Sequence, residues 1–273
     1  MSTGQAHLDP YIEGGSVLHG LDSIIKTMSL LGLLIFIALI PTGAWAFYLL
    51  TGFLLLSGYL LAELPLMEMV KRSLFVELPF FFILVPLLFM RQSDTLVQFE
   101  LLNRPLNISA AGAERFFNIL VRSWFSILAS ILYASVTHFQ EFASAMRALG
   151  IPSPIVAIWS FMWRYLVLLV NEAQRMLRAR SARSGRVVGQ QAKAGGSLAW
   201  RASVTGQMVG SMFLRSMERG ERVYQAMVAR GYDGEIRAHA RPILRPFHKI
   251  FLSLELLIIT LLVITAFQVY GLR

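Results

Sequence analysis

The feature that most constrains the fold of this chain is a run of 36 residues, Thr27 to Ala62, without a charged side chain. As a single helix this run would be about 54 Å long, whereas the hydrocarbon core of a bilayer is about 30 Å thick. Pro41-Thr42-Gly43 interrupts the run near its middle, and proline with glycine favours a turn. The run therefore predicts a hairpin of two membrane-crossing helices over residues 26–62.

The rest of the sequence has the same apolar character. Only 15% of the residues are charged, against about 25% in a typical soluble domain. The chain has no cysteine, so disulfides and thiolate metal sites are excluded. Further apolar segments cover residues 74–90, 116–137, 153–171 and 250–270. We predict an all-α membrane protein with about five transmembrane helices and long cytoplasmic helices.

The order of these segments predicts three parts: a membrane domain over residues 1–171, a cytoplasmic domain over 172–249, and a last transmembrane helix within 250–273. The polar stretch 91–114 reads as a connection. Five apolar segments precede residue 172, one more than a cytoplasmic amino terminus allows. Either 74–90, which contains Pro79 and Pro86, or 153–170 does not cross as a simple span, or the amino terminus is outside.

The positive charge is concentrated in residues 172–249. This stretch holds fifteen Lys or Arg residues and five acidic ones, whereas the remainder of the chain holds ten and eleven. The positive-inside rule places such a stretch in the cytoplasm. A sequence pI of about 10.2 could also indicate nucleic-acid binding. A position beside the membrane on the cytoplasmic side already accounts for the excess of basic residues here. We therefore predict that the chain interacts with the lipid bilayer and binds no nucleic acid.

A six-residue pattern occurs twice in this basic stretch. Residues 179–184 and 226–231 both read Ala-x-x-Ala-Arg followed by Ser or Gly. The arginine falls in the last turn of a helix, where the dipole favours a cation, and the glycine at or just after the end of each copy terminates the helix. The pattern predicts two helices that each present a guanidinium at the carboxyl end. The candidate site residues are Ala182, Arg183, Ser184, Ala229, Arg230 and Gly231.

Simpler interpretations of these features remain open. A basic cluster beside the membrane can bind anionic lipid headgroups, and an arginine in a last helical turn is common. The second motif ends an amphipathic helix predicted over 207–230, after a Gly-rich stretch with a turn at Gly195-Gly196. Its apolar stripe is typical of packing or of a partner groove: Met208, Met212, Phe213, Met217, Tyr224 and Met227.

Taken together, these motifs resemble the transmembrane T component of energy-coupling factor (ECF) transporters, and most closely the CbiQ family of cobalt importers. The likeness covers nearly the whole chain and is strongest at the residues that follow: Leu21–Lys26, Gly150–Pro152, Arg164-Tyr165, Glu172, Arg175-Met176, Ala179–Ser184, Leu214–Ser216, Glu218-Arg219 and Ala226–Gly234. Ser184 departs from the family pattern, which has glycine there. Gly185 could end the helix instead, and Arg180 could compete with Arg183.

The resemblance implies a non-catalytic coupling subunit in the bacterial inner membrane. It would join two ATP-hydrolysing subunits (CbiO-like) to a substrate-binding membrane subunit (CbiM-like, with or without a CbiN-like partner). In that family the two motif arginines, here Arg183 and Arg230, enter grooves of the ATPase pair. The same machine could serve nickel or a vitamin. Rival interpretations from other classes are a membrane scaffold and a membrane enzyme, although no acid, base and nucleophile come together in the sequence.

Metal and cofactor sites are not indicated. The five histidines are not at helical ligand spacing, and no Gly-rich phosphate loop is present, so ATP and the transported ion are expected to bind partner subunits. Arg122 and Arg164 lie inside apolar segments, where a charge must face a partner or reach the interface. Their candidate counter-ions are Glu77, Glu172 and Glu255.

Overall fold

The computed structural model describes residues 10–89, 95–101, 104–183, 197–232 and 246–270. Contacts divide the chain into two compact units. We call Tyr11–Leu149 with Pro242–Arg273 the bundle unit. We call Met1–Pro10 with Gly150–Arg241 the α6–α7 unit, after its helices α6 (Ser153–Arg183) and α7 (Leu198–Ala229). The three-part division expected from the sequence remains a prediction.

The bundle unit is built mainly from helices. In chain order they are α1 (Ser23–Leu39), α2 (Trp45–Leu61), α3 (Leu66–Leu84), a 3₁₀ helix (Val85–Phe89), α4 (Ala110–Val136), α5 (Phe139–Ala148) and α8 (Pro246–Tyr270). Two antiparallel strands, β1 (Thr95–Leu101) and β2 (Arg104–Ser109), precede α4. The predicted all-α membrane architecture is confirmed. The small β-hairpin was not predicted, because the sequence indicated only a polar connection there.

The predicted break between the first two helices is confirmed, and α4 holds it in place. Gly43 has φ +82°, a conformation that glycine adopts readily. Arg122 Nη2 of α4 donates to the carbonyl oxygen of Ile40 at 2.5 Å and lies 3.4 Å from the Tyr48 hydroxyl. The last carbonyls of a helix lack intrahelical donors and carry the negative end of its dipole. Among the described residues, Arg122 therefore binds the end of α1 rather than an acidic counter-ion.

The contact between α3 and α4 is polar. The buried residues of α3 are spaced four apart on one face: Met69, Ser73 and Glu77. Trp124 Nε1 donates to Ser73 Oγ at 3.0 Å, and Ser123 Oγ donates to Glu77 Oε1 at 2.5 Å. Between membrane helices, where lipid tails are as apolar as leucine, such hydrogen bonds take part in association. The opposite face of α3 exposes large apolar side chains, which suits contact with lipid.

The predicted segment 74–90 begins too late. The helix α3 starts at Leu66, runs through Pro79 without ending, and is followed by the 3₁₀ helix; Met90 lies outside the described residues. The helix therefore includes Lys71 and Arg72, both exposed, and its start does not coincide with these charged residues. Good helix formers such as Leu, Met, Glu, Lys and Arg dominate residues 66–72 and account for the extension.

A buried lysine joins three parts of the bundle unit. Lys26 Nζ donates to the carbonyl oxygens of His19 and Val136, both at 3.0 Å, and lies 3.5 Å from Glu141 Oε2. Its side chain is only 4% exposed. The preceding segment is also attached to α4, because Ile12 N donates to the carbonyl oxygen of Ser135 at 3.0 Å. The ammonium group thus fastens the start of α1 to the end of α4 and to α5.

Contacts within the bundle unit also give the helix directions. Lys26 near the start of α1 meets Val136 at the end of α4, and the ring of Phe47 at the start of α2 contacts the ring of Tyr270 at the end of α8. Gly58 of α2 faces Leu132 of α4. It follows that α1, α3 and α8 run in one direction and that α2 and α4 run back. The carboxyl end of α4 and the amino end of α8 therefore lie at the same end of the unit.

The apolar helices are long enough for a membrane protein. By length and composition Gly112–Val136, Ser153–Arg183 and Lys249–Tyr270 could each cross a bilayer, and Ser23–Leu39 and Trp45–Leu61 are shorter apolar helices. A helix of 17 residues is about 26 Å long, close to the thickness of the hydrocarbon core, about 30 Å.

The α6–α7 unit contains two long helices, α6 (Ser153–Arg183) and α7 (Leu198–Ala229). The helix α6 continues the predicted apolar segment 153–171 into the basic stretch. The helix α7 begins nine residues before the predicted start at Gln207. Ser197 caps it, since its Oγ accepts a hydrogen bond from the backbone N–H of Trp200 at 3.2 Å. Such a cap provides an acceptor for an N–H group of the first turn that has no partner within the helix. The turn predicted at Gly195-Gly196 lies outside the described residues.

Candidate functional site

The carboxyl end of α7 carries the second copy of the repeated motif. Gly231 has φ +82°; its N–H donates to the carbonyl oxygen of Val228 at 2.9 Å, and the N–H of Tyr232 donates to that of Met227 at 3.0 Å. This pair of hydrogen bonds with a left-handed glycine is the Schellman end of a helix. Gly231 ends the helix as the sequence predicts. Arg230 occupies the cap position, and its side chain is exposed.

The carboxyl end of α6 carries the first copy. The helix ends at Arg183, and both Ala182 and Arg183 are exposed. Ser184, the remaining predicted site residue of this copy, lies outside the described residues. We call the carboxyl ends of the two helices the Arg183 tip and the Arg230 tip. The arginine of each tip directly follows an alanine (Ala182 or Ala229), whose small side chain leaves room beside it.

One acidic side chain links α6 to α7. Glu172 Oε1 lies 3.6 Å from Arg215 Nη1 of α7, and Glu172 also pairs with Arg175 one turn further along α6. Glu172 is 20% exposed and Arg215 is 66% exposed. We call the Glu172–Arg215 pair the crossing contact. The sequence offered Glu172 only as a possible counter-ion for an intramembrane arginine, so its actual partners on these helices were missed.

A second link involves Arg180, the residue that the sequence left as a competitor of Arg183. Arg180 Nη1 donates to Thr205 Oγ1 at 2.9 Å, and its guanidinium lies 5.9 Å from the centre of the Trp200 ring. A guanidinium over an indole face is favourable. We call this group the Arg180 contact. The sequence could not reveal it, because Trp200 and Thr205 were assigned to a connection and not to the helix.

The two links show that the helices run antiparallel. Residues 172 and 180 of α6 contact residues 215 and 205 of α7 respectively. The Arg183 tip lies 11 residues beyond Glu172, about 16 Å, and the Arg230 tip lies 15 residues beyond Arg215, about 22 Å. The tips therefore point away from the crossing contact in opposite directions along the pair. Their arms differ by only about 6 Å.

The helix α7 is poorly covered within the described structure, where none of its residues is buried. Of the apolar stripe predicted from the sequence, Met208, Met212 and Met227 are half-buried. The other three members are largely exposed: Phe213, Met217 and Tyr224. The stripe thus consists of half-buried and largely exposed members. No cluster of three His, Cys, Asp or Glu side chains that could hold a metal ion occurs among the described residues.

Comparison with known proteins identifies the family of the chain. Residues 14–240 match the family model of the cobalt transport protein CbiQ. An integral membrane protein built from apolar helices, with two long helices that end in matched arginines, is thus a component of a transport system. The chain belongs to the CbiQ cobalt transport family.

Individual relatives are distant. An uncharacterized protein of Methanocaldococcus jannaschii is 27% identical over 259 residues, 94% of this chain and 85% of that protein. The cobalt transport protein CbiQ of Rhodobacter capsulatus is 26% identical over 114 residues, 41% of this chain and 43% of its own length. A second uncharacterized protein of Methanocaldococcus jannaschii is 27% identical over 111 residues, 40% of this chain and 38% of that protein.

Proposed function

We propose that this chain is the coupling subunit of an ATP-driven cobalt importer of the ECF type. It links two ATPase subunits (CbiO-like) to a separate substrate-binding membrane subunit (CbiM-like), and it hydrolyses no ATP itself. The observation that carries the proposal is the pair of exposed arginines, Arg183 and Arg230, at the carboxyl ends of two antiparallel helices. Membership of a cobalt transport family supports cobalt as the cargo.

The geometry of the tips suits two copies of one partner. Two antiparallel helices are related by an approximate twofold axis near their crossing, and this axis exchanges the Arg183 tip with the Arg230 tip. A pair of like ATPase subunits has a twofold axis of the same kind. Each guanidinium offers up to five directed donors, which fit carboxylates or backbone carbonyls in a cleft better than an ammonium group does.

Arg180 does not fill this role in the proposal. Its guanidinium is engaged by Thr205 and Trp200 of the neighbouring helix, whereas that of Arg183 is exposed. This difference supports Arg183 as the residue that enters the partner. The proposed coupling site therefore consists of Ala182, Arg183 and Ser184 in the first copy and of Ala229, Arg230 and Gly231 in the second.

The connectivity supports a cytoplasmic position for residues 172–249. Because α4 ends and α8 begins at the same end of the bundle unit, the chain between them must cross the bilayer an even number of times. If α6 crossed, α7 would have to cross back. It carries six charged residues, each expensive inside a membrane. Segment 153–171 is then the one that does not cross. The positive-inside rule then places the basic stretch in the cytoplasm of a bacterial inner membrane.

A charge reversal at both tips tests the coupling role. Arg183→Glu with Arg230→Glu is expected to abolish co-purification of the ATPase subunits while membrane insertion is retained. Truncating one desolvated, paired charge at an interface costs about 2–5 kcal/mol, so two reversals suffice to dissociate the complex. The matched control is Arg178→Glu with Arg219→Glu, which changes the charge of the same two helices equally at other exposed positions. Undiminished ATPase binding by the tip variant would refute the coupling role.

The cargo needs its own measurement. The complex, purified with its native partners, is expected to take up labelled cobalt in preference to nickel or a vitamin. Uptake of nickel or a vitamin alone would keep the coupling role and change the substrate. Uptake that persists after deletion of this chain would instead indicate a membrane scaffold without a transport role, and catalytic turnover by the isolated chain would indicate an enzyme.

A further inference from the structure

We propose that Glu172 and Arg180 are positioning residues that hold α6 and α7 at a fixed angle, so that a displacement of one arginine tip is passed to the other. The proposal deepens the proposed function and rests on it, because it concerns how the two tips act together. The observation beneath it is purely geometric: two polar contacts join the same pair of helices at two separate points.

Packing alone does not fix the angle between these helices. In most helix pairs the crossing angle follows from side chains of one helix that interdigitate with those of the other. Here no residue of α7 is buried in the described structure. The half-buried Met208 and Met212 have flexible side chains, which tolerate rearrangement. The angle therefore depends on the polar contacts.

Two contacts at separate points restrict rotation in a way that one cannot. Glu172 and Arg180 are eight residues apart on α6, about 12 Å, and their partners Arg215 and Thr205 are ten residues apart on α7, about 15 Å. A single contact is a pivot, about which the helices can swing. Solvent-exposed ion pairs are individually weak, so the crossing contact on its own would not prevent that movement.

The length of the helices magnifies any such movement. A rotation of about 10° around the crossing contact displaces the Arg230 tip, about 22 Å away, by about 4 Å. A hydrogen bond is lost when its donor and acceptor separate by much less than that. A loosened crossing would therefore leave both tips bound to their partners while the motion of one no longer reaches the other.

The absence of cysteine from the chain allows a direct test. Ser160→Cys on α6 and Gln225→Cys on α7 place spin labels on exposed positions, on the same side of the crossing contact. The unaltered contacts are expected to give one narrow distribution of distances between the labels, measured by pulsed electron paramagnetic resonance in the full-length protein. Glu172→Ala or Arg180→Ala should widen that distribution by about 3 Å or more, the swing of an arm of about 15 Å through about 10°.

Two further variants separate positioning from unspecific damage. Glu172→Arg combined with Arg215→Glu exchanges the charges and should restore the narrow distribution. Glu218→Ala removes an exposed acid of α7 as a matched control, and it should leave the distribution unchanged. If Glu172→Ala and Arg180→Ala keep the distribution of the unaltered protein, or if the exchanged pair fails to narrow it, the positioning role is overturned.

The functional measurement uses the complete importer in liposomes. The Glu172→Ala and Arg180→Ala variants are expected to keep their ATPase subunits and to hydrolyse ATP, while the amount of cobalt taken up per ATP falls severalfold. An unchanged ratio would contradict the positioning role even where the labels report a wider distribution. Failure of the coupling role is distinguishable, because it appears as ATPase binding that survives the double reversal at Arg183 and Arg230.

Discussion

The contact between α1 and α8 depends on the absence of a side chain at Gly32. A Cβ atom at this position would lie 2.6 Å from Oε1 of Glu255 and 2.8 Å from Cδ1 of Ile259, both well inside van der Waals contact. Both atoms end flexible side chains, so they can move, but the apolar cavity around them limits where the carboxylate can go. This cavity of about 500 Å³ is lined mainly by apolar residues of α1, α2, α4 and α8, and also by Lys26, Ser29, Thr51 and Tyr133. Overpacking usually costs about 1–3 kcal/mol, and alanine gains about 0.5–1 kcal/mol over glycine inside a helix. We therefore expect Gly32→Ala to destabilise the bundle unit by about 0–2 kcal/mol net.

A double-mutant cycle isolates the cause. Glu255→Ala removes the atoms that the new methyl group meets first, so Gly32→Ala should cost at least about 1 kcal/mol less in that background. Glu255→Gln is the matched control, because it removes the charge and keeps the shape. It should not relieve the cost. The carboxylate oxygen Oε2 of Glu255 has no hydrogen-bond partner among the described residues, so no hydrogen bond to that oxygen is lost in the cycle.

The assay is unfolding of the purified full-length protein in mixed micelles, followed by circular dichroism as the fraction of denaturing detergent is raised. The four proteins of the cycle give the coupling free energy between positions 32 and 255. A coupling energy within about 0.5 kcal/mol of zero, the range for independent sites, would refute the steric explanation. Full rescue by Glu255→Gln would show instead that charge, and not shape, is responsible.

Three further predictions concern other contacts. Lys26→Met should lower the free energy of unfolding by about 3 kcal/mol, because the carbonyls of His19 and Val136 lose a charged donor. Glu141→Gln, at a carboxylate that is 42% exposed, should cost less than about 1 kcal/mol. If Lys26→Met and Glu141→Gln lowered the free energy of unfolding equally in the same assay, the hydrogen bonds of Lys26 to the carbonyls would not be its main contribution. Ser73→Ala should cost about 0.6–1.7 kcal/mol, since Trp124 Nε1 loses its acceptor. An unchanged midpoint of unfolding would show that this hydrogen bond does not stabilise the protein. Gly231→Val imposes about 1–2 kcal/mol of strain at positive φ and should weaken ATPase binding fivefold to thirtyfold. Gly231→Asn, which tolerates this conformation, should not; equal affinity of the two variants would argue against the role of the helix end.

The fold could be predicted where local chemistry decides it. The break at Pro41–Gly43, the two long helices and the helix end at Gly231 follow from an uncharged run, from apolar length and from a left-handed glycine. The start of α7 could not be found in the same way, because the Gly- and Ser-rich composition before Gln207 indicated a loop. A single serine cap at Ser197 and the helix-favouring residues after it decided otherwise. The β-hairpin before α4 was missed because residues 91–114 were interpreted as a polar connection. Its strands do alternate apolar and polar residues, over Val97–Leu101 and Leu106–Ser109.

The site was less predictable than the fold. The two motif arginines could be found because the pattern repeats, and their role in binding ATPases stays a prediction. The contacts that join their helices could not be found, because they connect residues 25 to 43 positions apart in sequence. Arg122 shows the same limit. Its partner was expected to be an acidic side chain, whereas it is the backbone carbonyl of Ile40 at the end of α1. A backbone carbonyl leaves no signal in the residue types of a sequence.

The buried ammonium of Lys26 has a consequence for how the chain is made. Its acceptor at Val136 is 110 residues further along the sequence, which a ribosome adds in roughly 5–20 s at about 5–20 residues per second. During that interval the first helix enters the membrane with this positive charge near its amino-terminal end and without its acceptor on α4. The lipid-water boundary is the only place where that charge is tolerated. The amino-terminal helix is therefore expected to wait there, shallowly inserted, until the fourth helix arrives and draws it to its final depth.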